Sequence, residues 1–226
     1  MSKLLHYSSL TKKYIMAIAG FFLMIFLIVH LGINIFILPI VENHVEIFRD
    51  AVNFMISNPL VKVMEIFLFG AFIIHILYGV ILQLQNWMAR PTRYKIEGWS
   101  HTSYFSKFMI HTAVIVFIFL VIHFMNFYFV KLGITSAPQG PATVVDNHDF
   151  YNMAINLFTN TTYSVLYILL LIVLGFHLNH AFQSAFQSMG WNHSRYTPFV
   201  KLLGTIYSIV IPLGFILIPL YFIFLY

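Results

Sequence analysis

Five long apolar segments, separated by shorter stretches rich in polar residues, proline or glycine, divide this chain of 226 residues. The segments run over 14–38, 60–87, 104–130, 163–189 and 198–226. Each is long enough to cross a hydrocarbon core of about 30 Å, which takes about 20 helical residues. The pattern predicts an all-α integral membrane protein, a single domain over 1–226 built as a bundle of five transmembrane helices. The stretches 42–58, 88–103, 131–162 and 190–197 are expected to connect them.

The composition leads to the same conclusion. Hydrophobic residues make up 60% of the chain and charged residues only 8%, and the mean hydropathy is +0.86. Such a chain cannot cover a globule with polar surface, so it belongs in a bilayer. The net charge of +5 does not indicate nucleic acid, because the basic residues cluster at the ends of the apolar segments.

The basic residues predict the orientation of the bundle. Nine of them flank one side: Lys3, Lys12, Lys13, Arg90, Arg93, Lys95, Lys107, Arg195 and Lys201. Only Arg49, Lys62 and Lys131 flank the other side, together with nearly all of the acidic residues. The positive-inside rule therefore predicts a cytoplasmic N-terminus and an external C-terminus.

Four histidines, His30, His75, His123 and His177, lie deep inside four different apolar segments. An ionisable residue at membrane depth usually marks function. At a helical rise of about 1.5 Å per residue, His30 and His123 lie about 26 and 24 Å from the cytoplasmic flank, and His75 and His177 about 20 and 21 Å from the external flank. They therefore form an outer and an inner pair, the pattern expected for two b-type haems, each held by two histidines.

Other interpretations of the histidines remain open. For any one of the four, taken alone, hydrogen bonding between helices is the favoured explanation. His180 competes with His177, three residues away. His111 is expected at the membrane interface, and the remaining histidines in loops or at the water boundary: His6, His44, His101, His148 and His193.

Residue types that are missing from particular positions restrict the possible functions of the chain. No acidic or basic residue lies near the predicted midplane, since Glu65 is close to the outer end of its helix; this argues against a proton-driven carrier. The fifth segment has no histidine and contains Pro212 and Pro219, so it is expected to kink and to pack on the bundle without carrying chemistry. The lack of cysteine excludes iron–sulfur clusters held by this chain and thiolate-ligated or covalently attached haem.

Four motifs, in this order, resemble a known family. They are the runs 20–31 (GFFLMIFLIVHL), 64–67 (MEIF) leading into 75–80 (HILYGV), 121–123 (VIH) and 176–184 (FHLNHAFQS). With these residues the chain resembles, over nearly its whole length, the five-helix di-haem cytochrome b membrane anchor of bacterial succinate dehydrogenases and menaquinol:fumarate reductases, the succinate:quinone oxidoreductase family.

The resemblance implies a cofactor set and partners. The axial ligands would be His30 with His123 and His75 with His177, holding two haem b, and His177 would be preferred over His180. The partners would be a flavoprotein and an iron–sulfur protein on the cytoplasmic face of the bacterial inner membrane, with quinone, in general menaquinone, as substrate. A dimer of the whole complex is compatible with it. The family's glutamate two residues before the last ligand, tied to proton transfer in some fumarate reductases, is replaced here by Gly175.

The expected function is electron transfer between the iron–sulfur partner and quinone, by a subunit that does not itself act on succinate or fumarate. Glu42, His44 and Glu46, just beyond the first helix, are candidates for the quinone site, although a solvated loop is the favoured explanation of each. Two alternatives stay open. One is the di-haem cytochrome of a formate dehydrogenase or hydrogenase, which usually has four spanning helices; the other is a membrane protein without redox function.

Overall fold

The computed structural model describes residues 9–88 and 108–226, and this part of the chain is helical without strands. Five helices are long and apolar enough to cross a membrane, by length and composition: Leu10–Ile37, Pro59–Met88, Met109–Lys131, Thr161–Ser188 and Thr197–Phe224. These spans confirm the five predicted segments to within a few residues. The predicted start of the third segment at 104 lies outside the described residues, as do His6, His101 and the basic residues Lys3, Arg90, Arg93, Lys95 and Lys107.

The helices are labelled in chain order. α1 (Ser9–Asn34) ends in a 3₁₀ turn (Ile35–Ile37). It is followed by α2 (His44–Ser57), α3 (Pro59–Met88), α4 (Met109–Lys131), α5 (Phe150–Phe158), α6 (Thr161–Ser188) and α7 (Thr197–Phe224).

Two of these helices correct the sequence prediction. α2 and α5 lie in the stretches 42–58 and 131–162, which were expected only to connect spans. α5 begins at the Asp149 side chain, which accepts a hydrogen bond from the backbone N–H of Asn152 at 3.4 Å. Its residues from Met153 to Phe158 are buried. Burial in the tertiary structure, more than local propensity, stabilises so short a helix.

α6 is the central helix of the bundle. Its buried leucines Leu171, Leu174 and Leu178 pack with Met24 of α1 and Ile211 of α7 in one apolar cluster. α7 remains helical through Pro212 and Pro219. It is the most buried of the five spans: 39% of the residues in its most apolar 18-residue stretch are buried, against 11% in α3. The fifth segment therefore packs on the bundle as expected.

α6 and α7 approach closely at Gly175. A Cβ atom there would lie 2.9 Å from the backbone oxygen of Ser208. Pro212, which has no N–H, leaves that carbonyl without its usual helical partner. Gly175 thus lets the two helices meet where the proline has freed a carbonyl group, and no larger side chain fits between them.

α4 changes its winding directly after His123. The residues Phe124–Tyr128 form a π-helical turn before a last α-helical turn, Phe129–Lys131. The Thr135 hydroxyl donates a 2.7 Å hydrogen bond to the carbonyl of Met125 inside this turn. π-turns are rare and frequently lie at functional sites. This one determines which way the side chains after His123 point.

Candidate functional site

The four deep histidines face each other in two pairs. The ring centroids of His30 and His123 lie 5.8 Å apart with planes at 84°. Those of His75 and His177 lie 6.3 Å apart with planes at 85°. Each pair joins two different helices, α1 with α4 and α3 with α6.

The two pairs lie at different levels of the bundle. Gly20 and His75 line one crevice, and His30 follows Gly20 by ten residues on the same helix. Tyr167 contacts the His123 ring, and His177 follows Tyr167 by ten residues. Both counts give a separation of about 15 Å along the helix axes, at about 1.5 Å per residue.

Hydrogen bonds do not explain these pairs. No hydrogen bond joins the rings of either pair among the described residues, and the buried Nδ1 atoms of His75, His123 and His177 have no hydrogen-bond partner there. A buried polar atom without a partner is rare and costs about 1–3 kcal/mol. Three of the four rings therefore have a buried nitrogen atom for which the described residues supply no partner.

The spacing within each pair is compatible with one metal ion between two imidazoles. A metal–nitrogen bond is about 2.0 Å and a ring nitrogen lies about 1.2 Å from its ring centroid, so two opposed ligands place their centroids about 6.4 Å apart. The observed 5.8 and 6.3 Å are close to this value. Within 9–88 and 108–226, no group of three or more histidine or acidic side chains converges as a metal site. Each pair offers two imidazoles, the ligand set of bis-histidine haem.

Aromatic rings enclose the His30–His123 pair. Phe26 stacks on His30 with centroids 5.1 Å apart, and Phe215 of α7 lies 5.4 Å from it. Phe127 and Phe119 lie 5.2 and 5.9 Å from His123. The shell excludes water from this level and lowers the local dielectric constant.

Small residues, in contrast, border the His75–His177 pair. A crevice beside His75 is lined by α1 and α6 residues that include Ala17, Gly20, Ala181 and Ser184. It encloses about 30 Å³, close to the volume of one water molecule. The donor atoms suit a haem, but a macrocycle enters only if the surrounding helices separate. Gly79, one helical turn after His75, has no atom within 4 Å of its Cβ direction and does not line the crevice.

The other described histidines belong to neither of the two pairs. His180 has no ring contact with His75 among the described residues, whereas His177 does. His111 is exposed, and His193 stacks on Tyr196 in the turn before α7. His148 is an exposed residue next to the start of α5.

The three residues considered for a quinone site surround the start of α2. Glu42 and Glu46 are exposed, and His44 hydrogen-bonds through Nδ1 to the carbonyl of Phe36 at 3.1 Å. Tyr151 of α5 lies 6.2 Å from the His44 ring, and burial raises the pKa of its hydroxyl. None of the three candidates lines the crevice beside His75.

An ion pair lies at the same end of the bundle. The Lys131 ammonium group contacts both carboxylate oxygens of Glu65 at 2.9 and 3.0 Å, and the Tyr128 hydroxyl donates to Glu65 at 2.7 Å. The π-turn of α4 carries Tyr128 to this position. The cluster joins α3 to α4 through the acid that the sequence places near the end of its helix.

Sequence reasoning missed four residues around the pairs: Gly20, Asn34, Asn126 and Tyr167. Asn34 donates to the backbone carbonyl of His30 at 2.7 Å and contacts its Nδ1 at 3.3 Å. Asn126 donates to the Tyr167 hydroxyl at 3.0 Å. Only Asn34 had a usable signal, since it lies one helical turn after a candidate ligand.

Comparisons with known proteins give no further assignment. No protein-family model, no curated protein and no solved structure matches the chain. The class defined by fold and site is thus a membrane bundle of five candidate spans with two levels of facing histidines.

Proposed function

We propose that this chain is the haem-carrying membrane anchor of a succinate:quinone oxidoreductase, a succinate dehydrogenase or fumarate reductase of the bacterial cytoplasmic membrane. It would pass electrons between a cytoplasmic iron–sulfur subunit and membrane quinone, and a flavoprotein subunit would complete the complex. The chain itself would not act on succinate or fumarate.

One observation carries the proposal: two pairs of facing imidazoles, each at metal-ligand spacing, at two levels about 15 Å apart within the bundle. His30 and His123 would hold one haem b, and His75 and His177 the other. Each haem b would supply one-electron redox chemistry to the site.

The remaining residues of the site orient and insulate the ligands. Phe26, Phe119, Phe127 and Phe215 keep water away from His30 and His123. Gly20 allows α1 to lie against the ring of His75. At Gly175 the tight contact with α7 leaves no space for an acidic side chain, so the proposal includes no proton path through this position.

The first experiment measures haem directly. The chain, expressed with its neighbouring subunits and purified in mild detergent, should show b-type bands in a reduced-minus-oxidised optical spectrum. Haem quantitation should give two haems per chain. A spectrum without b-type bands overturns the proposal and favours a membrane protein without redox function.

The second experiment identifies the partners. Affinity purification through a tag on this chain should recover a flavoprotein and an iron–sulfur protein, with succinate-dependent reduction of the b-type bands. Haem without these subunits, but with formate-dependent or hydrogen-dependent reduction, would assign the chain to the alternative class of di-haem cytochromes.

A further inference from the structure

A second crevice lies at the end of the bundle that carries His30 and His123. It has a volume of about 230 Å³, room for several waters or one small ring system. The end of α4, the linker after it, α5 and the start of α6 form its walls. Its lining is Asn126, Pro138, Gln139, Asn156, Leu157, Asn160 and Tyr163.

Part of this polar lining is already used by the fold. Asn156 donates through Nδ2 to the carbonyls of Pro138 and Ala142 and accepts from the Ala142 N–H at 2.8 Å. A Cβ atom on Gly140 would lie 2.7 Å from Asn156. Asn156 therefore holds the linker over the crevice, and both of its amide hydrogens are already used.

Other polar atoms of the lining have no partner. Within the described residues, Oδ1 of Asn126, Nδ2 of Asn160 and the hydroxyl of Tyr163 make no hydrogen bond, although the opposite amide atoms of Asn126 and Asn160 do. The crevice thus offers at least one acceptor, one donor and one hydroxyl. No charged side chain lines it, so its chemistry suits a neutral ligand that both accepts and donates hydrogen bonds.

The crevice is connected to the His30–His123 pair by direct contacts. Asn126 follows His123 by three residues and donates to the Tyr167 hydroxyl at 3.0 Å. The buried Tyr167 ring lies 6.4 Å from the His123 ring. Asn126 and Tyr167 therefore connect the crevice to the candidate ligand His123.

We propose that this crevice binds the ring of a membrane quinone or quinol. This assignment rests on the proposed function. Quinone carbonyls accept hydrogen bonds from Nδ2 of Asn160 and the hydroxyl of Tyr163, and quinol hydroxyls donate to Oδ1 of Asn126. The neutral lining suits the uncharged ring, while the isoprenoid tail extends into lipid beyond the rim. This assignment replaces Glu42, His44 and Glu46 as the quinone-binding residues.

The test measures binding of menaquinone-1 to the purified complex by equilibrium dialysis, a readout that does not need haem or turnover. Tyr163→Phe removes one hydroxyl and should weaken binding about tenfold, the effect of losing one well-formed hydrogen bond. Gln139→Trp, at the exposed mouth, should block binding without disturbing the core. Tyr226→Phe, an exposed tyrosine outside the crevice, is the matched control and should leave the Kd unchanged.

The possible results distinguish a failure of the crevice assignment from a failure of the proposed function. Unchanged binding in both Tyr163→Phe and Gln139→Trp, or weaker binding only in Glu42→Gln with Glu46→Gln, overturns the crevice assignment even when two haems are present. Menaquinone-1 binding that depends on Tyr163 in a chain without haem supports the crevice while the proposed function fails. Absence of any binding to a wild-type complex that contains two haems overturns the crevice assignment, while the haem content and the recovered subunits test the proposed function.

Discussion

A Cβ atom placed on Gly20 would lie 3.6 Å from both Cε1 and Nδ1 of His75. Such a Cβ atom would be in ordinary van der Waals contact with the ring, so a methyl group fits at this position. Gly20 of α1 thus leaves a small gap beside the imidazole of α3.

Gly20→Leu is expected to displace the His75 ring and remove one of two haems, whereas Gly20→Ala should retain both. The physical reason is steric, because a single methyl group fits at 3.6 Å and an isobutyl group does not. Haem quantitation and the optical spectrum provide the measurement. Gly32→Leu is the matched control on α1, since nothing lies within 4 Å of its Cβ direction. Two haems in Gly20→Leu would show that the contact has no role in cofactor binding.

Replacement of single histidines should remove haems one at a time. His75→Ala and His177→Ala are each expected to reduce the haem content from two to one, and to remove the same spectral component because their rings form one pair. His30→Ala and His123→Ala should both remove the other component. His180→Ala should retain both haems. Loss of a haem in His180→Ala, with retention in His177→Ala, would exchange the two assignments.

The orientation can be measured with cysteines, because the natural chain contains none. Val145→Cys, at an exposed position in the linker between α4 and α5, should react with a membrane-impermeant maleimide on intact cells. Ser194→Cys, exposed in the turn between α6 and α7, should react only after the cells are opened. This follows from the excess of basic residues on the Arg195 side. The reverse labelling pattern would invert the predicted topology.

The Glu65–Lys131 pair should stabilise the contact between α3 and α4. Lys131→Met leaves a partly buried carboxylate with only the Tyr128 hydroxyl, and it is expected to lower the free energy of unfolding by about 1–3 kcal/mol. Reversible unfolding in mixed detergent micelles measures this change. Glu42→Gln, which removes an exposed carboxylate, is the control and should have an effect within about 0.5 kcal/mol. Equal stability of Lys131→Met and wild type would show that the pair is fully solvated.

Gly175 should tolerate no side chain. Gly175→Ala places a Cβ atom 2.9 Å from the backbone oxygen of Ser208, and overpacking of this kind typically costs about 1–3 kcal/mol. The same unfolding measurement applies. Gly79→Ala on α3 has open space around the new methyl group and should be neutral or stabilising, because alanine is the better helix former. If the two variants are equally stable, α6 and α7 are less tightly packed than the structure indicates.

The five spans and the depth of the four histidines follow from the sequence alone. Apolar length is a local property that the bilayer thickness converts directly into a helix. Depth follows from counting residues at a constant rise, which is why His30 and His123, and His75 and His177, could be grouped before the bundle was known.

The tertiary structure determines three features that the local sequence pattern does not predict: helix α5, the direction of each imidazole ring and the π-turn of α4. α5 is helical because its residues from Met153 to Phe158 are buried against the spans, and a nine-residue segment is not stable as a helix on its own. The direction of each imidazole depends on how its helix is rotated in the bundle. The π-turn after His123 and the contact of Gly20 with His75 belong to that packing, and no single helix carries a signal for its neighbour.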